Sequence, residues 1–259
     1  MIKIYYFTGT GNSLWSAKRI AQIAGEHNEP CELHNIGHEL QNSKIVIEAD
    51  AVVLIFPSYA YGPPLAVNRF VKKAVFKTPY VASLVTYGSS PLGTLGILGR
   101  VLKTKKGIGK MFFYRIPCVE NYLALFGPPK TKTMEIRLLM QEKASEEAAI
   151  AIIERRENKV KTFTPFSSFV SWVFTFLALK IFYALYKVSK KCNGCGVCKK
   201  ICPVSAIEIK KGKPHFTKRC EHCQSCVNIC PLRAIQFGRV RFGAMGYCHP
   251  NIDIADLST

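Results

Sequence analysis

The chain predicts an α/β fold: a doubly wound, five-stranded parallel sheet followed by a small α+β domain organised by cysteines. Three observations carry this. Apolar strand-like runs alternate with helical patterns over the first 160 residues, a loop of Gly, Thr and Ser joins the first strand to the first helix, and eight of eleven cysteines fall into two copies of one spacing. Strands are expected at Ile2–Phe7, near Cys31–His34, and at Ala51–Phe56, Tyr80–Thr86 and Lys110–Ile116. Helical patterns follow at Leu14 to Ala24, Leu65–Val75, Leu95–Leu102 and Glu135–Arg156, the last with Ile136, Leu139, Met140, Ile150 and Ile153 as its core face.

The cysteines read Cys192, Cys195, Cys198, Cys202-Pro203 and Cys220, Cys223, Cys226, Cys230-Pro231. Each copy is C-x2-C-x2-C-x3-C-P, the run of bacterial two-cluster ferredoxins, in which the fourth cysteine serves the other cluster. Two 4Fe-4S clusters are therefore expected, one on Cys192, Cys195, Cys198 and Cys230, the other on Cys220, Cys223, Cys226 and Cys202. The repeat extends past the ligands: Pro203–Ile207 is matched by Pro231–Ile235. Structural zinc is the alternative, but a zinc site has no use for a third cysteine three residues on, repeated twice. Disulfides fit less well, since the start of the chain resembles no export signal and a reducing, cytoplasmic setting suits thiolate ligands.

The first strand runs into Thr8-Gly9-Thr10-Gly11-Asn12-Ser13 and then a helix. Hydroxyls, backbone N–H groups freed by glycine and a helix N-terminus together make a phosphate cradle. The loop lacks a P-loop lysine and the third glycine of a dinucleotide fingerprint. Two more loops, residues 57–64 and 86–93, follow strand ends, where doubly wound sheets hold ligands.

Thr8–Ser13 resembles the FMN phosphate loop of flavodoxins, and the two later loops lie where flavodoxins grip the isoalloxazine ring. The whole chain resembles the fused flavodoxin–ferredoxin proteins of the EFR1 family, over about residues 1–158 and 190–238. The resemblance implies a flavodoxin-like sheet and FMN, with Thr8, Thr10, Gly11, Asn12 and Ser13 on the phosphate. It implies ring contacts from Pro57, Ser58, Tyr59, Ala60 and Tyr61 and from Thr86, Tyr87, Gly88 and Ser89. Each of Tyr59, Tyr61 and Tyr87 either stacks on the flavin or covers the sheet edge. Arg115–Tyr122 resembles a segment after the fifth strand of that family, interrupted here by extra residues.

Residues 1–160 are thus expected as an FMN domain, 161–189 as a hydrophobic helical connector, 190–240 as the cluster domain and 241–259 as a tail that folds back on either domain. In the connector, 163–186 approaches the length of a membrane span, with Phe166, Phe169, Val170, Val173, Phe174 and Leu177 as one stripe. It is read as packing across both domains or against a second subunit, as lying on a membrane or partner surface, or, least favoured, as spanning. Cys31, Cys118 and Cys248 are expected as small core residues, and His222 either tunes a cluster or, the favoured reading, sits in solvent.

The formal charge is +19. Ligated clusters at about −2 each offset part of it. The remainder points to acidic redox partners or an anionic membrane surface, and no recognition motif points to nucleic acid. The expected function is electron relay between the clusters and FMN, with no residue needed as acid, base or nucleophile. The alternatives are an FMN-dependent oxidoreductase acting on a quinone, nitro compound or nicotinamide, and a membrane-associated subunit of a larger redox complex.

Overall fold

The computed structural model describes residues 1–160, 165–238, 243 and 245–258; expectations for 161–164 and for Phe174's and Lys180's side chains lie outside the described residues. The N-terminal elements are β1 (Ile2–Tyr6), α1 (Asn12–Glu26), β2 (Cys31–Asn35), α2 (Ile36–Glu39), β3 (Val46–Glu48), β4 (Ala51–Pro57) and α3 (Leu65–Lys73). They continue through β5 (Val75–Tyr87), α4 (Thr94–Lys103), β6 (Ile108–Pro117), α5 (Leu123–Phe126) and α6 (Thr131–Ile153).

Parallel pairing places the strands in the order β2-β1-β4-β5-β6. β3 meets β5 in the same register as β4, Val46 opposite Val75 and Val52 opposite Val81, so β3 is the beginning of β4 interrupted at Ala49–Asp50. Six segments therefore fill five positions, in the flavodoxin-like order 2-1-3-4-5. Side chains alternate across the sheet. Ile2, Ile4, Val53 and Ile55 join the core under α1 and α6, while Tyr5, Phe7, Val52, Leu54 and Phe56 join the one under α3 and α4. With both faces covered, every residue of β4 up to Phe56 is buried.

The expected core face of α6 is wrong in its first half: Ile136, Leu139 and Met140 are exposed. The buried face is Gln141, Ala144, Ser145, Ala148, Ala149 and Ile152. Gln141 Nε2 donates to the Asn12 carbonyl at 2.9 Å and to Ser16 Oγ at 3.0 Å, and Ser145 Oγ donates to Ser16 Oγ at 3.0 Å. Two helices tied through such short groups approach closely, and small side chains fill the seam that large ones would hold open. Ile150 and Ile153 do pack, partly buried, against that core.

The connector forms α7 (Pro165–Lys180) and a 3-10 turn at Phe182–Leu185. Its expected stripe splits: Phe166 and Phe169 are exposed, as are Trp172 and Phe176 outside it, while Val170, Val173 and Leu177 are half-buried. Ser171 faces the loop at Gly62, where a Cβ would collide with its Oγ. No helix among the described residues is long and apolar enough to cross a membrane.

The second part comprises β7 (Tyr186–Val188), α8 (Val197–Lys200), β8 (Ile207–Lys210), β9 (Lys213–Phe216), α9 (Ser225–Asn228) and β10 (Ile235–Phe237). β8 pairs with β9 and β7 with β10, both antiparallel. The two halves repeat in detail: the fourth cysteine of each motif accepts an N–H from four residues on, Ala206 N to Cys202 Sγ at 3.2 Å and Ala234 N to Cys230 Sγ at 3.3 Å. Tyr186–Val188, assigned to the connector on sequence, is thus a strand of the cysteine domain.

The tail folds against α1. His249 N donates to the Thr10 carbonyl at 2.9 Å, the His249 ring stacks on Trp15 at 4.9 Å, and Lys18 pairs with Asp256 at 2.6 Å.

Candidate functional site

The TGTGNS loop ends β1 at the carboxyl edge of the sheet. Gly11 holds φ 98, a left-handed conformation that suits glycine, and α1 starts immediately afterwards with no side chain capping its first turn. Asn12, Ser13 and Leu14 are nevertheless buried there. A buried helix N-terminus with free N–H groups is an anion cradle. The surrounding side chains hold the loop's shape: Gly11 N donates to Thr8 Oγ1 at 3.1 Å, Asn121 Nδ2 to Thr10 Oγ1 at 2.6 Å, and Ser13 Oγ lies 2.8 Å from Thr86 Oγ1. Asn12 is occupied at both ends of its amide, donating to the Val119 carbonyl at 3.0 Å and accepting from Tyr247 O–H at 2.7 Å. Its side chain is a tie between segments, and its backbone N–H is what it offers a ligand.

A cavity of ≈ 270 Å³ opens from this loop. All three predicted loops line it: Thr8, Thr10, Asn12 and Ser13, then Pro57–Tyr61, then Thr86–Ser89. Gly11 alone of the predicted set does not, because its outer side rests against His249 and Ile252. The second loop is a tight turn in which Tyr59 and Gly62 exchange backbone hydrogen bonds, with Ala60 at φ 45 and Tyr61 at φ 64. Left-handed geometry at two non-glycine residues is a strain characteristic of ligand-binding loops. Tyr59 packs edge-on against Phe7, 6.5 Å between ring centres. Sequence reasoning missed the fourth wall: Cys118–Tyr122, Leu125 and Phe126 from the β6 end, and His222 and Cys223 from the cysteine domain.

The eight motif cysteines stand around two further cavities. Cys192, Cys195, Cys198 and Cys230 line one; Cys202, Cys220, Cys223 and Cys226 line the other, with Cys198 between them. Among the described residues, no three His, Cys, Asp or Glu side chains are close enough to hold one metal ion. The two sets differ in exposure. Cys195 is exposed and Cys192 half-buried, while Cys220 and Cys226 are buried and Cys223 is walled in by the flavodoxin-like domain. Burial pushes the Cys220 thiol up to about 11 and those of Cys223 and Cys226 higher still. Ligation by iron would supply the positive charge that makes thiolates tenable in such surroundings.

The set containing Cys223 is pressed onto the Thr8–Ser13 loop. A Cβ on Gly9 would lie 3.0 Å from the Cys223 carbonyl and 3.2 Å from its Cβ, so only glycine admits this approach without displacement. Ser225 Oγ donates to the Gly9 carbonyl, and Asn228 Nδ2 to the Asn121 carbonyl at 3.1 Å. Glu221, between two cluster cysteines, accepts from Ala66 N at the start of α3 at 2.7 Å and from Arg69 at 3.2 Å. Burial pushes its carboxyl up to about 7 against the pull of Arg69 and the helix N–H groups. His222 is 2 % exposed and stacked on Tyr186 at 5.5 Å, which overturns the expectation of a solvated side chain. Cys118, expected in the core, is buried in the cavity wall. Tyr247 ties the tail to both parts, its N–H donating to Asn228 Oδ1 at 2.8 Å and its hydroxyl to Asn12.

Residues 184–233 match the family model described as a 4Fe-4S dicluster domain. This part of the chain is a small 4Fe-4S ferredoxin domain, and it follows a flavodoxin-like α/β domain. No curated protein matches the chain. Among solved structures, oxidised flavodoxin 2 from Bacillus cereus is similar at 15 % identity, covering 60 % of this chain and 99 % of its own, with a TM-score of 0.43. A flavodoxin from the domain Archaea is similar at 15 % identity, 56 % and 96 % coverage and a TM-score of 0.36. Rubredoxin oxygen:oxidoreductase from Desulfovibrio gigas is similar at 14 % identity over 58 % of this chain and 37 % of that one, at 0.36. The fold assignment rests on the strand order above; likenesses this distant add nothing to it.

Proposed function

We propose that the chain is an electron carrier with three centres in line: an outer 4Fe-4S cluster on Cys192, Cys195, Cys198 and Cys230, an inner one on Cys202, Cys220, Cys223 and Cys226, and FMN in the cavity. One observation carries the reading. Cys223 belongs to the inner cysteine set and to the wall of the cavity lined by all three predicted loops, and it lies in contact with Gly9 of the first of them. The crossed ligand sets are supported by the grouping of sulfurs around two cavities. The domain order and motif spacing support a narrower placement among EFR1-family ferredoxins.

The residues fit FMN. The uncapped N-terminus of α1 would offer N–H groups to the phosphate, and Pro57–Tyr61 and Thr86–Ser89, which line the cavity, would hold the ring. When bound, FMN accepts electrons singly or in pairs, whereas each cluster passes one at a time. The protein's work is positional. Glu221, Ser225 and Asn228 fix the inner cysteine loop to the flavin domain, and Gly9 removes the atom that would hold them apart.

Anaerobic purification with iron, sulfide and flavin quantification tests the reading. About eight irons and one FMN per chain are expected. Stoichiometric zinc, or no flavin, would contradict it.

A further inference from the structure

The outer cysteine set is surrounded by cations that the relay itself does not use. Lys190 and Lys191 precede Cys192, Lys199 and Lys200 form the last turn of α8 after Cys198, and all four are exposed. The β8–β9 tip contributes Lys210, Lys211 and Lys213, also exposed. That tip is packed on the outer loop, because a Cβ on Gly194 would lie 2.6 Å from the Gly212 carbonyl. Ile209 and Pro214 of the same hairpin line the outer cavity with the cysteines.

Residues 184–233 contain eleven Lys and Arg and only two acidic residues, Glu208 and Glu221. Glu208 pairs with Lys210 at 2.9 Å, and Glu221 is buried on the opposite, flavin-facing side. Eleven cations exceed the charge of two ligated clusters at about −2 each. The excess stands around Cys195, the exposed cysteine of the eight. Lys218 and Arg219 precede Cys220 of the inner set, but seven of the eleven cations adjoin the outer set, whose Cys195 is exposed.

Building on the relay proposed above, we infer that this lysine collar is the docking site for an acidic protein electron carrier, which exchanges one electron at a time with the outer cluster. The exchange balances within the pair: the carrier loses the electron that the outer cluster gains, or the reverse, and no bond is made. Oppositely charged surfaces around paired redox centres raise encounter rates by ~10–10³-fold and orient the partners. A lipid headgroup or nucleic acid offers matching charge and no electron, so neither accounts for the position of the collar around a cluster.

The test is stopped-flow reduction of the full, anaerobically prepared chain by a reduced acidic ferredoxin, with methyl viologen radical cation as a second reductant. With the acidic carrier the second-order rate constant should fall tenfold or more between about 0.05 and 0.5 M salt. Charge reversal in the pair Lys199→Glu and Lys200→Glu, or in Lys211→Glu and Lys213→Glu, should lower it tenfold or more at low salt. With the viologen cation the same variants should react at least as fast as the parent, with iron content intact. Carrier rates indifferent to salt and to both pairs would overturn the inference, as would equal losses with both reductants. Salt-dependent binding to anionic vesicles together with flat carrier kinetics would also overturn it and assign the collar to a membrane. Flavin bleaching after the clusters are reduced reads the relay separately: its absence, with salt-dependent carrier kinetics retained, would sink the relay and leave the collar standing.

Discussion

The two cysteine motifs share spacing, a trailing proline and the N–H···S bond to the fourth sulfur, yet they occupy opposite electrical environments. The first faces solvent inside a ring of lysines. The second is buried against the flavodoxin-like domain beneath Tyr59, His222 and the phosphate loop. On the reading proposed above, a repeated sequence yields two centres of different use: one for a partner, one for the cavity. Cluster potentials respond to solvent exposure and nearby charge. The outer centre, wetter and among cations, is expected to titrate at the higher potential in an EPR-monitored redox titration. Two clusters indistinguishable in potential would erase the contrast.

Removing the fourth cysteine of each motif should have the largest effect. Cys202→Ala should abolish the inner cluster's EPR signal and transfer to the flavin, and Cys230→Ala should abolish the outer cluster's signal; the reverse pattern would refute the crossed arrangement. Next is Gly9→Ala, whose new Cβ must displace Cys223. Flavin reduction should slow while iron content stays constant. Third, Glu221→Ala strips a buried acceptor from Ala66 and Arg69 and should cost about 2–3 kcal/mol of stability in denaturant unfolding.

The tail gives the smallest effect, and it depends on pH. Burial holds His249 down at about 4 against an ordinary value of 6.5. Between those values a released tail binds a proton that the docked tail excludes, so docking weakens as pH falls from 6.5 toward 4 and is unchanged above 6.5. Hydrogen-exchange protection around Tyr247, corrected for intrinsic rates, should decline across that window and stay flat in His249→Gln.

The comparison also marks what the sequence could carry. Ligand spacing and strand–helix alternation are local signals, and they made the ferredoxin domain and the parallel α/β fold legible. Gly9 read as a turn residue, because nothing near it in sequence announces Cys223 pressing from more than two hundred residues away. The buried face of α6 was misread for a related reason. Leu139 and Met140 are the more hydrophobic residues, but close approach to Ser16 of α1 selected Ala, Ser and Gln. His222 and Tyr247 carry no motif at all. Their burial follows from the domains packing together, which no local pattern records.

Single-turnover stopped flow of the holoprotein, following cluster and flavin absorbance separately after reduction at the outer cluster, addresses the contact between inner cluster and flavin most directly. The account predicts that cluster bleaching precedes flavin bleaching, with a first-order flavin step independent of protein concentration and lost in Cys202→Ala. A flavin step whose rate grows with protein concentration, or one that survives removal of the inner cluster, would contradict it.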